Sequence, residues 1–475
     1  MDHAKISAFW GTLVRQEASL NGAFVDLPRG VFVLGRVPLK SNFFLRSCYA
    51  QLFDLLSDST YNTLTARAGI PWSSKWVVTG NPGIGKTFFA AYLMWRLAKE
   101  KATIVYEPPR QDCLVSANSS DRYLLLPDGT VQVRAAGTGG FEKYLKDPAT
   151  WFIVDAHGAH ECAARVVMVT SPRRSVFRRF LKVQDAFKAF MPVWTMEELE
   201  MCRAALFKRL PASRVAKLFS VWGGIPREVL QRVNKVYDCQ REMELLGAIS
   251  SSSLQMAQSS IGYISDEEDY SHLLHFHVVA PKFQTKSLRY ASTHIAMLVT
   301  ERILRYQRTE LVSYVSAGAR PFCEGDIRGY VFEGLAHVAL RNGGKMRIRN
   351  LGDDNERERP LRLPKLEARY FDDVSQVDLT ENRYYYPLNK HPAAVDSITS
   401  EGLFQIAVSR DHPINAKQLE TLVEKLGLKD LYFVVASSLF DSFSAQPFHT
   451  DDDTVVERIS PVLQSVRQWV LDLQL

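Results

Sequence analysis

The chain has 475 residues, 46% of them hydrophobic, so it can bury a core in two or three domains. Its formal net charge of +6 is a small basic surplus that is compatible with a nucleic-acid partner. Its six cysteines are widely spaced and form no Cys-x-x-Cys pair, which argues against a disulfide framework and a structural zinc site and favours a reducing compartment. The first residues lack a signal-peptide pattern, and no stretch approaches the roughly 18 apolar residues of a membrane span, so we expect neither a leader nor a membrane partner.

Residues 1 to 70 carry a mixed pattern. The run Val31–Leu34 predicts a short strand, and apolar residues recur at helical spacing from Asn42 to Leu56. We interpret this region as a packing layer on the domain that follows, with a separate functional module as the alternative.

The most informative stretch begins near Pro71. A buried-strand pattern, Trp76–Thr79, leads into Gly80-Asn-Pro-Gly-Ile-Gly-Lys-Thr87 and then into an amphipathic helix from Phe88 to Ala98. This order is typical of a phosphate-binding loop (P-loop). Its glycines, Gly80, Gly83 and Gly85, let the backbone turn its N–H groups inward. Lys86 supplies a charge for the outer phosphates and Thr87 a hydroxyl for Mg²⁺, so the stretch predicts binding of ATP or another nucleoside triphosphate with Mg²⁺.

The following strands supply a second metal ligand. Thr103–Glu107 predicts a strand, and Tyr123–Leu126 and Val131–Val133 predict a hairpin. Trp151-Phe-Ile-Val-Asp155 is a buried strand that ends in an acid, which is the Walker B pattern. Asp155 is therefore expected to hold the Mg²⁺ that Thr87 binds.

Two further segments predict sensors of the nucleotide. The buried strand Arg165–Val169 precedes Thr170 and Ser171. It resembles the extra strand that some P-loop proteins place between the P-loop and Walker B strands, where a polar residue senses the γ-phosphate. Either Thr170 or Ser171 could do so, and a helix cap is the alternative. Gly223-Gly-Ile-Pro-Arg227 resembles the second sensor of AAA+ and STAND ATPases, whose arginine reaches the γ-phosphate from a helical lid. A surface arginine on a helix begun by proline is the alternative. Between these segments, Met191–Thr195 predicts a final strand, and a capped helix follows at Glu197–Leu199.

The group that activates water is less clear. Many such ATPases place a glutamate after the Walker B aspartate, but here the next residue is Ala156. Glu107 ends a strand that should lie beside the Walker B strand, so its carboxylate is our candidate base. His157, His160 and Glu161 are alternatives, and slow hydrolysis that suits a switch is another.

The densest basic cluster lies just after the Walker B region. Its members are Arg173, Arg174, Arg178, Arg179 and Lys182. They could supply an arginine finger or touch nucleic-acid phosphates. A solvated helix face, with Val176, Phe177 and Phe180 buried, is the favoured interpretation.

The middle of the chain is less informative. Ser250 to Asp269 is polar and acidic and predicts a loop or linker. His272, His275 and His277 have no acidic or cysteine partner at ligand spacing, which favours a strand or loop over a metal site. A helix is predicted from Tyr290 to Tyr306.

The C-terminal third has a second informative order of elements. A helix at Tyr330–Leu340 is stopped by Gly343 and Gly344, and a strand follows at Lys345–Arg349. After a charged loop from Asp353 to Arg362 and a Tyr384-Tyr-Tyr run, the pattern predicts strands at Ala394–Ile398 and Leu403–Val408, a helix at Ala416–Leu426, a strand at Leu431–Ala436 and a closing helix at Pro461–Leu473. Helix, three strands, helix and strand are the αβββαβ core of the restriction-endonuclease-like, PD-(D/E)xK, superfamily.

Three residues fall where that superfamily carries its metal site. Glu333, Asp396 and Gln405 match the helix glutamate, the second-strand aspartate and the first residue of Glu/Gln-x-Lys, and Glu333 and Asp396 would hold Mg²⁺. The expected lysine is Ala407, which removes a group that stabilises transition-state charge. Lys390 or Arg410 could replace it, or the domain could bind without cleaving.

Both modules together resemble the Crinkler and retrotransposon-hot-spot (RHS) proteins of oomycetes, fungi and trypanosomatids, which join a P-loop NTPase to a restriction-endonuclease-like domain. The resemblance spans about residues 70 to 440 and rests on the order of Gly80–Thr87, Val105–Glu107, Asp155, Met191–Thr195, Gly223–Arg227, Phe332–Glu333, Ala394–Asp396, Phe404–Gln405 and His412–Ile414. It implies a virulence effector that reaches the host nucleus, acts on chromatin or nucleic acid and often provokes cell death. The ubiquitin-like header of Crinklers is not found, so no delivery route is visible.

We therefore predict an α/β chain with a packing region at 1–70, an AAA+/STAND-like P-loop NTPase with its lid at 71–240, a linker and helical connector at 241–315 and a nuclease-like domain at 316–475. One reading is an NTPase whose cycle licenses a Mg²⁺-dependent nuclease, with DNA favoured over RNA. The other is a nucleotide-dependent switch with an inactive docking domain. Ala156 and Ala407 favour the second reading, and the pair Glu333 and Asp396 favours the first. A homo-oligomer is possible, and the cytoplasm is the alternative location.

Overall fold

The computed structural model describes residues 2–58, 74–109, 121–135, 140–183, 186–252, 273–316, 327–352, 358–371, 373–387, 395–452 and 454–474. Pro71, most of the predicted linker, His272, the first part of the charged loop, Lys390 and Ala394 lie outside these ranges. The contacts of the chain divide it into two compact units. Both units combine helices with sheets, which confirms the α/β class.

The first unit contains Met1–Leu210, Gly224–Asn234 and Ser260–Leu288, and the second contains Pro211–Gly223, Lys235–Ser259 and Arg289–Leu475. This grouping follows packing and not the order of the chain. The domain boundaries at residues 70, 240 and 315 stay predictions.

The first unit is built on a seven-stranded sheet. Its N-terminal elements are α1 (His3–Val14), β1 (Ser19–Asn21), β2 (Phe24–Asp26), β3 (Asn42–Phe44) and α2 (Ser47–Ser57). They are followed by β4 (Lys75–Thr79), α3 (Lys86–Lys99), β5 (Ile104–Glu107), β6 (Asp121–Leu125), β7 (Val131–Ala135), α4 (Glu142–Leu145), β8 (Trp151–Asp155), β9 (Arg165–Val169), α5 (Arg174–Val183), β10 (Phe187–Phe190) and α6 (Met196–Leu206).

The strand order of this sheet is β10-β4-β9-β8-β5-β6-β7. The first five strands are parallel, and β6 and β7 form the predicted antiparallel hairpin. Strand β4 is buried along its whole length, as expected for a parallel strand covered on both faces. The parallel strands therefore bring the ends of β4, β5, β8 and β9 to one edge, where ligands of open α/β sheets bind.

The N-terminal segment packs on the same unit. Trp10 is fully buried, and its indole N–H donates to the carbonyl of Leu126 at 2.7 Å. The guanidinium of Arg46 donates to Glu198 and to the carbonyls of Pro192 and Val193. A buried arginine with this many acceptors joins the segment to the start of α6.

Three expectations for the first unit are corrected. Val31–Leu34 is not a strand, because Leu34 (φ +54°) and the glycine after it turn left-handed inside a 3₁₀ helix at Val33–Gly35. The last strand, β10, precedes Met191–Thr195, where Pro192 lacks the N–H that a strand needs. The pattern from Asn42 to Leu56 is strand β3 followed by α2. The predicted helix cap is confirmed, because Thr195 and Glu198 form a reciprocal capping box at α6.

The second unit is built on an eight-stranded sheet. Its helices are α7 (Ala212–Trp222), α8 (Lys235–Ser251), α9 (Thr293–Tyr306), α10 (Arg308–Ser316), α11 (Ile327–Asn342), α12 (Ala416–Leu426), α13 (Ser437–Phe440) and α14 (Pro461–Gln464). Strands β11 (Leu274–Val279) and β12 (Gln284–Tyr290) form a hairpin that lies mainly in the first unit. The remaining strands are β13 (Gly344–Asn350), β14 (Arg359–Leu363), β15 (Glu367–Phe371), β16 (Arg383–Pro387), β17 (Ser397–Thr399), β18 (Gly402–Ile406), β19 (Ile414–Asn415), β20 (Asp430–Ala436), β21 (Phe448–His449) and β22 (Arg467–Leu473).

The order in the large sheet is β14-β13-β22-β20-β18-β17-β16-β15. The antiparallel meander next to β20 is β16-β17-β18. The predicted strand Lys345–Arg349 exists as β13, but its place in the triplet is wrong, because β13 lies on the far side of β22. Most of the closing segment is also not a helix, since only α14 is helical and β22 is a buried central strand. A run that is apolar on both faces does not reveal its period. The second half of the predicted charged loop is the edge strand β14, where charged side chains are common.

Helix α11, its stop at Gly343 and Gly344, and strands β13, β18 and β20 are confirmed. His275 and His277 lie in β11, as the strand interpretation predicted, and the helix predicted from Tyr290 begins at Thr293. Among the helices of the described ranges, none is both long enough and apolar enough to cross a bilayer.

Candidate functional site

The loop between β4 and α3 forms a backbone cradle. Gly80, Gly83 and Gly85 have φ angles of +144°, +82° and +94°, which side chains rarely adopt. A Cβ on Gly80 would also lie 2.7 Å from the carbonyl oxygen of Met191. The loop therefore keeps its shape only with glycine at these positions, and it ends at the N-terminus of α3, where N–H groups are free for an anion.

Lys86 opens α3 and folds back over this loop. Its Nζ donates to the carbonyls of Gly80 and Asn81, both at 2.8 Å. Burial and, less strongly, the charge of Arg227 together lower the pKa of Lys86 to about 7, against the opposing charge of Asp155. A desolvated amine gains strongly from a bound anion, so a phosphate would stabilise its charged form.

Asp155 lies at the end of β8, opposite Thr87. The Thr87 hydroxyl donates to Oδ1 of Asp155 at 3.4 Å, and Oδ2 is buried without a hydrogen-bond partner in the described ranges. Burial raises the pKa of Asp155 to about 6, against the hydrogen bond from Thr87 and the charges of Arg36 and Lys86. A hydroxyl and a carboxylate with an unsatisfied oxygen are hard donors, so these two residues fit Mg²⁺.

Glu107 lies beside β8, as predicted, because β5 pairs with β8 and Glu107 stands opposite Val154. Its carboxylate is committed to a buried ion pair. Arg122 approaches Oε1 at 2.6 Å, and both side chains are 5% exposed. The same guanidinium donates to the carbonyl of Gly140 at 2.7 Å. Glu107 is thus held by a strand partner that sequence analysis did not single out.

The segment after Asp155 carries the residues that were predicted as alternatives to Glu107 as the base. Ala156 is exposed and has a φ of +66°, an unusual angle for a residue with a side chain. His157 is buried, with Nε2 at 3.6 Å from Oε2 of Glu107. His160 contacts Arg122, with 3.3 Å between Nδ1 and Nη2, and Glu161 is exposed. The imidazole of His157 therefore faces the second oxygen of Glu107.

Thr170 follows β9, which lies between β4 and β8 as the extra-strand pattern predicts. Its backbone N–H donates to the carbonyl of Val78 at 3.1 Å. Its hydroxyl is buried and has no hydrogen-bond partner among the residues that the structure describes. Ser171 is half-buried. Thr170 is the better placed of the two residues to meet a polar ligand at this edge.

Arg227 packs against the P-loop. A Cβ on Gly83 would lie 2.9 Å from Cβ of Arg227 and 3.4 Å from its Nε. Gly224 makes this approach possible, since a Cβ there would lie 1.9 Å from the carbonyl oxygen of Trp194. The predicted helix start is a single turn of π-helix, Arg227–Gln231. The glycine-rich motif thus brings an arginine to the glycine loop between β4 and α3.

Sequence analysis missed two residues of this site. Arg36 follows the left-handed turn at Leu34, and its charge lowers the pKa of Asp155 against the effect of burial. The amide of Asn81 donates to the carbonyl of Leu274 at 2.8 Å and accepts from the N–H of Phe276 at 3.0 Å. The glycine after Leu34 was the only local signal for Arg36, and no local signal could join Asn81 to β11.

In the second unit, Glu333 and Asp396 approach one buried tyrosine. His337 Nδ1 lies 2.6 Å from the hydroxyl of Tyr384, and its Nε2 lies 3.9 Å from Oε1 of Glu333. Burial raises the pKa of Tyr384 far above its usual value, Ser397 opposes this rise, and the charges of Asp396 and Glu333 add to it. Oδ2 of Asp396 accepts from the N–H of Ile406 at 2.7 Å. The charges of both acids therefore act on the same buried tyrosine.

Gln405 lies on the face of the sheet opposite Tyr384. Leu403 and Ala407 belong to a hydrophobic core that also contains Tyr385, and Gln405 shares their face because side chains two residues apart in a strand point the same way. Its Nε2 lies 2.8 Å from Nε2 of His412. Ala407 is fully buried in that core, and Arg410 is exposed. The place of the expected lysine is thus closed by packing. Within the described ranges, no group of three or more histidine, cysteine or acidic residues is arranged to hold a metal ion.

No protein-family model matches the chain. Comparison with curated proteins finds Crinkler effector protein 15 of Phytophthora infestans, 26% identical over 391 residues, and Crinkler effector protein 16 of the same organism, 27% identical over 391 residues. Each match covers 78% of this chain and 60% of the relative, so the chain spans less than two thirds of either protein. The similarity supports an effector protein of the Crinkler type. The resemblance to RHS proteins stays a prediction.

Proposed function

We propose that this protein is a Crinkler-type effector in which a P-loop unit binds ATP or another nucleoside triphosphate and acts as a slow NTPase switch. The observation that carries the proposal is the meeting of Lys86, Thr87, Asp155 and Thr170 at the carboxyl ends of adjacent parallel strands. Asp155 and Thr170 each have a buried oxygen without a hydrogen-bond partner in the described ranges, and the buried amine of Lys86 donates to two backbone carbonyls. The strand order resembles that of AAA+ and STAND ATPases.

Each residue has a defined task in this proposal. Lys86 exchanges two carbonyl acceptors for phosphate oxygens, and the backbone of the glycine loop donates to the same group. Mg²⁺ would be held by Thr87 and Asp155, where it would neutralise charge between the outer phosphates. Thr170 and Arg227 would contact the γ-phosphate, so the site would distinguish a triphosphate from a diphosphate.

Slow hydrolysis follows from the residues that would have to supply the base, Ala156 and Glu107. Ala156 offers no proton acceptor, and the carboxylate of Glu107 is held by Arg122. A base that is committed to a buried ion pair has to be released before it can accept a proton. This arrangement favours long-lived nucleotide states, which suit a switch.

Nucleotide binding is tested with a fluorescent ATP analogue and Mg²⁺. We expect Lys86→Ala to weaken binding by about 30- to 150-fold, because a charge-assisted contact contributes about 2 to 3 kcal/mol. Lys143→Ala, at an exposed lysine of α4, is the matched control and should bind normally. Thr87→Ala should lose the Mg²⁺ dependence of binding. Unchanged affinity in Lys86→Ala would overturn the proposal.

A Mg²⁺-dependent nuclease coupled to the NTPase is the second candidate, because the charges of Glu333 and Asp396 both act on Tyr384. The positions of Gln405 and Ala407 favour instead a docking domain without cleavage. The test is cleavage of supercoiled and linear duplex DNA with Mg²⁺, with and without ATP. Loss of cleavage in Asp396→Ala but not in the exposed Asp411→Ala would establish a nuclease, and loss in Lys86→Ala would couple it to nucleotide. A protein that hydrolyses ATP without cutting would be a switch only.

The resemblance to Crinklers also supports action on DNA in the host nucleus with cell death as the outcome, and assembly into a homo-oligomer stays a prediction. A fluorescently tagged chain expressed in plant cells would test the location. Nuclear exclusion of an active protein would favour the cytoplasmic alternative.

A further inference from the structure

Helix α5 carries a basic face that the proposed nucleotide chemistry does not use. Arg173, Arg178, Arg179 and Lys182 are exposed, and the sequence contains no acidic residue between Glu161 and Asp185. Many other exposed arginines have carboxylate partners, such as Arg15 with Glu17, Arg369 with Glu381 and Arg467 with Asp430. In the described ranges Arg178, Arg179 and Lys182 make no ion pair. Their charge is therefore available to another molecule.

The opposite face of α5 is anchored in the protein. Phe177 and Phe180 are 2% and 4% exposed and belong to the core cluster that contains Val166 and Met168 of β9. The described residues of α5 include no exposed large hydrophobic side chain. A helix that binds a membrane needs its apolar face for the bilayer, and here that face is already buried. The exposed stripe is therefore a rigid, purely cationic surface.

The spacing of the charges suits a phosphate backbone. Arg178 and Lys182 are four residues apart on the helix, which places them about 6 Å apart along its axis, and Arg179 lies beside them. Two successive steps of one strand of duplex DNA rise by about 7 Å. Guanidinium groups also match phosphate oxygens in a two-pronged geometry that an ammonium lacks.

Helix α5 is joined directly to the edge of the sheet that holds the nucleotide residues. It begins four residues after Thr170, whose hydroxyl is buried without a described partner. The loop that follows Asp155 also touches it, since a Cβ on Gly158 would lie 3.2 Å from the carbonyl oxygen of Val176. Both connections are short, so a change of the β8 and β9 ends on nucleotide binding would be passed to α5.

We propose that the exposed face of α5, formed by Arg178, Arg179 and Lys182, binds the phosphate backbone of nucleic acid and that its affinity depends on the bound nucleotide. Binding by α5 stands apart from the proposed NTPase function, whereas the dependence on nucleotide rests on it. Contacts of this kind are insensitive to base sequence and weaken with salt, because they release counterions from the phosphates.

The experiment measures anisotropy of a labelled 20-base-pair duplex with the full chain at several salt concentrations. Arg178→Ala with Arg179→Ala should lower the slope of log affinity against log salt by about 2, one contact for each arginine. The control, Lys143→Ala with Lys146→Ala, removes two charges from exposed positions at α4 and should leave the slope unchanged. An unchanged slope in the α5 variant overturns the proposal, provided that the variant still binds the ATP analogue and is therefore folded. If polyglutamate displaces the duplex as efficiently per charge as unlabelled DNA does, the surface is not selective for phosphate and the nucleic-acid assignment is overturned.

The nucleotide dependence is tested separately. With a non-hydrolysable ATP analogue and with ADP, duplex affinity should differ by about fivefold or more, the lower range for coupled sites. Thr170→Val should abolish that difference while duplex binding remains. Equal affinities in the wild-type protein overturn the coupling. Failure of the NTPase proposal would instead show as normal nucleotide affinity in Lys86→Ala, which leaves binding by α5 to be judged by its own salt slope.

Discussion

The buried pair of Glu107 and Arg122 supports the sharpest prediction. Arg122→Met removes a guanidinium that lies 2.6 Å from the carboxylate, and it leaves Glu107 without this partner in a site that is only 5% exposed. Breaking a buried ion pair on one side costs about 3 to 5 kcal/mol, mostly from the stranded charge. The lost hydrogen bond to the carbonyl of Gly140 adds about 1 kcal/mol. We therefore expect Arg122→Met to lower the stability of this region by about 4 kcal/mol or more.

The assay is amide hydrogen exchange of β5 and β6, since local opening can be measured in a chain with two units that need not unfold together. The double variant Glu107→Leu, Arg122→Met removes both charges and should recover most of the loss, because a well-packed apolar pair often replaces a buried ion pair without cost. A loss below about 1 kcal/mol in Arg122→Met would refute this account of the pair.

The same variants test the role of Glu107 in turnover. If Glu107 activates water, the double variant should show slow amide hydrogen exchange in β5 and β6 and should bind nucleotide. It should nevertheless hydrolyse the nucleotide no faster than Glu107→Gln does. If the double variant retains hydrolysis at the wild-type rate, Glu107 is structural and the base has to be sought at His157.

Three further predictions follow from buried polar groups of the first unit. Asn81→Ala should speed hydrogen exchange in β11 by the equivalent of about 2 to 4 kcal/mol, because it leaves the carbonyl of Leu274 and the N–H of Phe276 unpaired, and unchanged exchange would contradict the contact. Burial lowers the pKa of Lys75 to about 8, so the folded state binds fewer protons than the unfolded state between about pH 8 and 10.5. The free energy of unfolding, measured by urea titration, should therefore rise by about 3 kcal/mol as the pH rises through that window. It should not rise in Lys75→Met. Because the pKa of Lys86 is about 7, the protein should take up a proton when it binds nucleotide at pH 8. Calorimetry in two buffers of different ionisation enthalpy would detect this uptake. A binding enthalpy that does not depend on the buffer would contradict it.

The elements that sequence analysis placed correctly are those with a strong local pattern. Strand β4, the glycine loop and α3 follow from a buried apolar run, from glycines in conformations that other residues avoid and from amphipathic spacing. The position of β5 beside β8 and of β9 between β4 and β8 was also foreseen, because parallel strands in this order belong to a well-known arrangement.

The errors share one physical cause, since each involves a choice that local pattern leaves open. The run at Arg467–Leu473 is apolar enough for either a buried helix or a buried strand, and only its place between β13 and β20 made it a strand. Gln405 was assigned to a metal site by its spacing, yet the pleat of β18 turns it to the face opposite Tyr384. A shift of one residue in a strand reverses the face of every side chain, and spacing along the chain does not reveal it.

What the sequence alone determined is therefore the local character of single loops, strands and helices: the glycine cradle after β4, the acid at the end of β8 and the cationic face of α5. The tertiary structure decided which partner each polar group meets. It paired Glu107 with Arg122, joined Asn81 to β11 from 193 residues away and placed Arg227 over Gly83. Backbone conformation and periodicity are local properties of the chain, whereas the burial and pairing of charges depend on segments that meet only when the chain is folded.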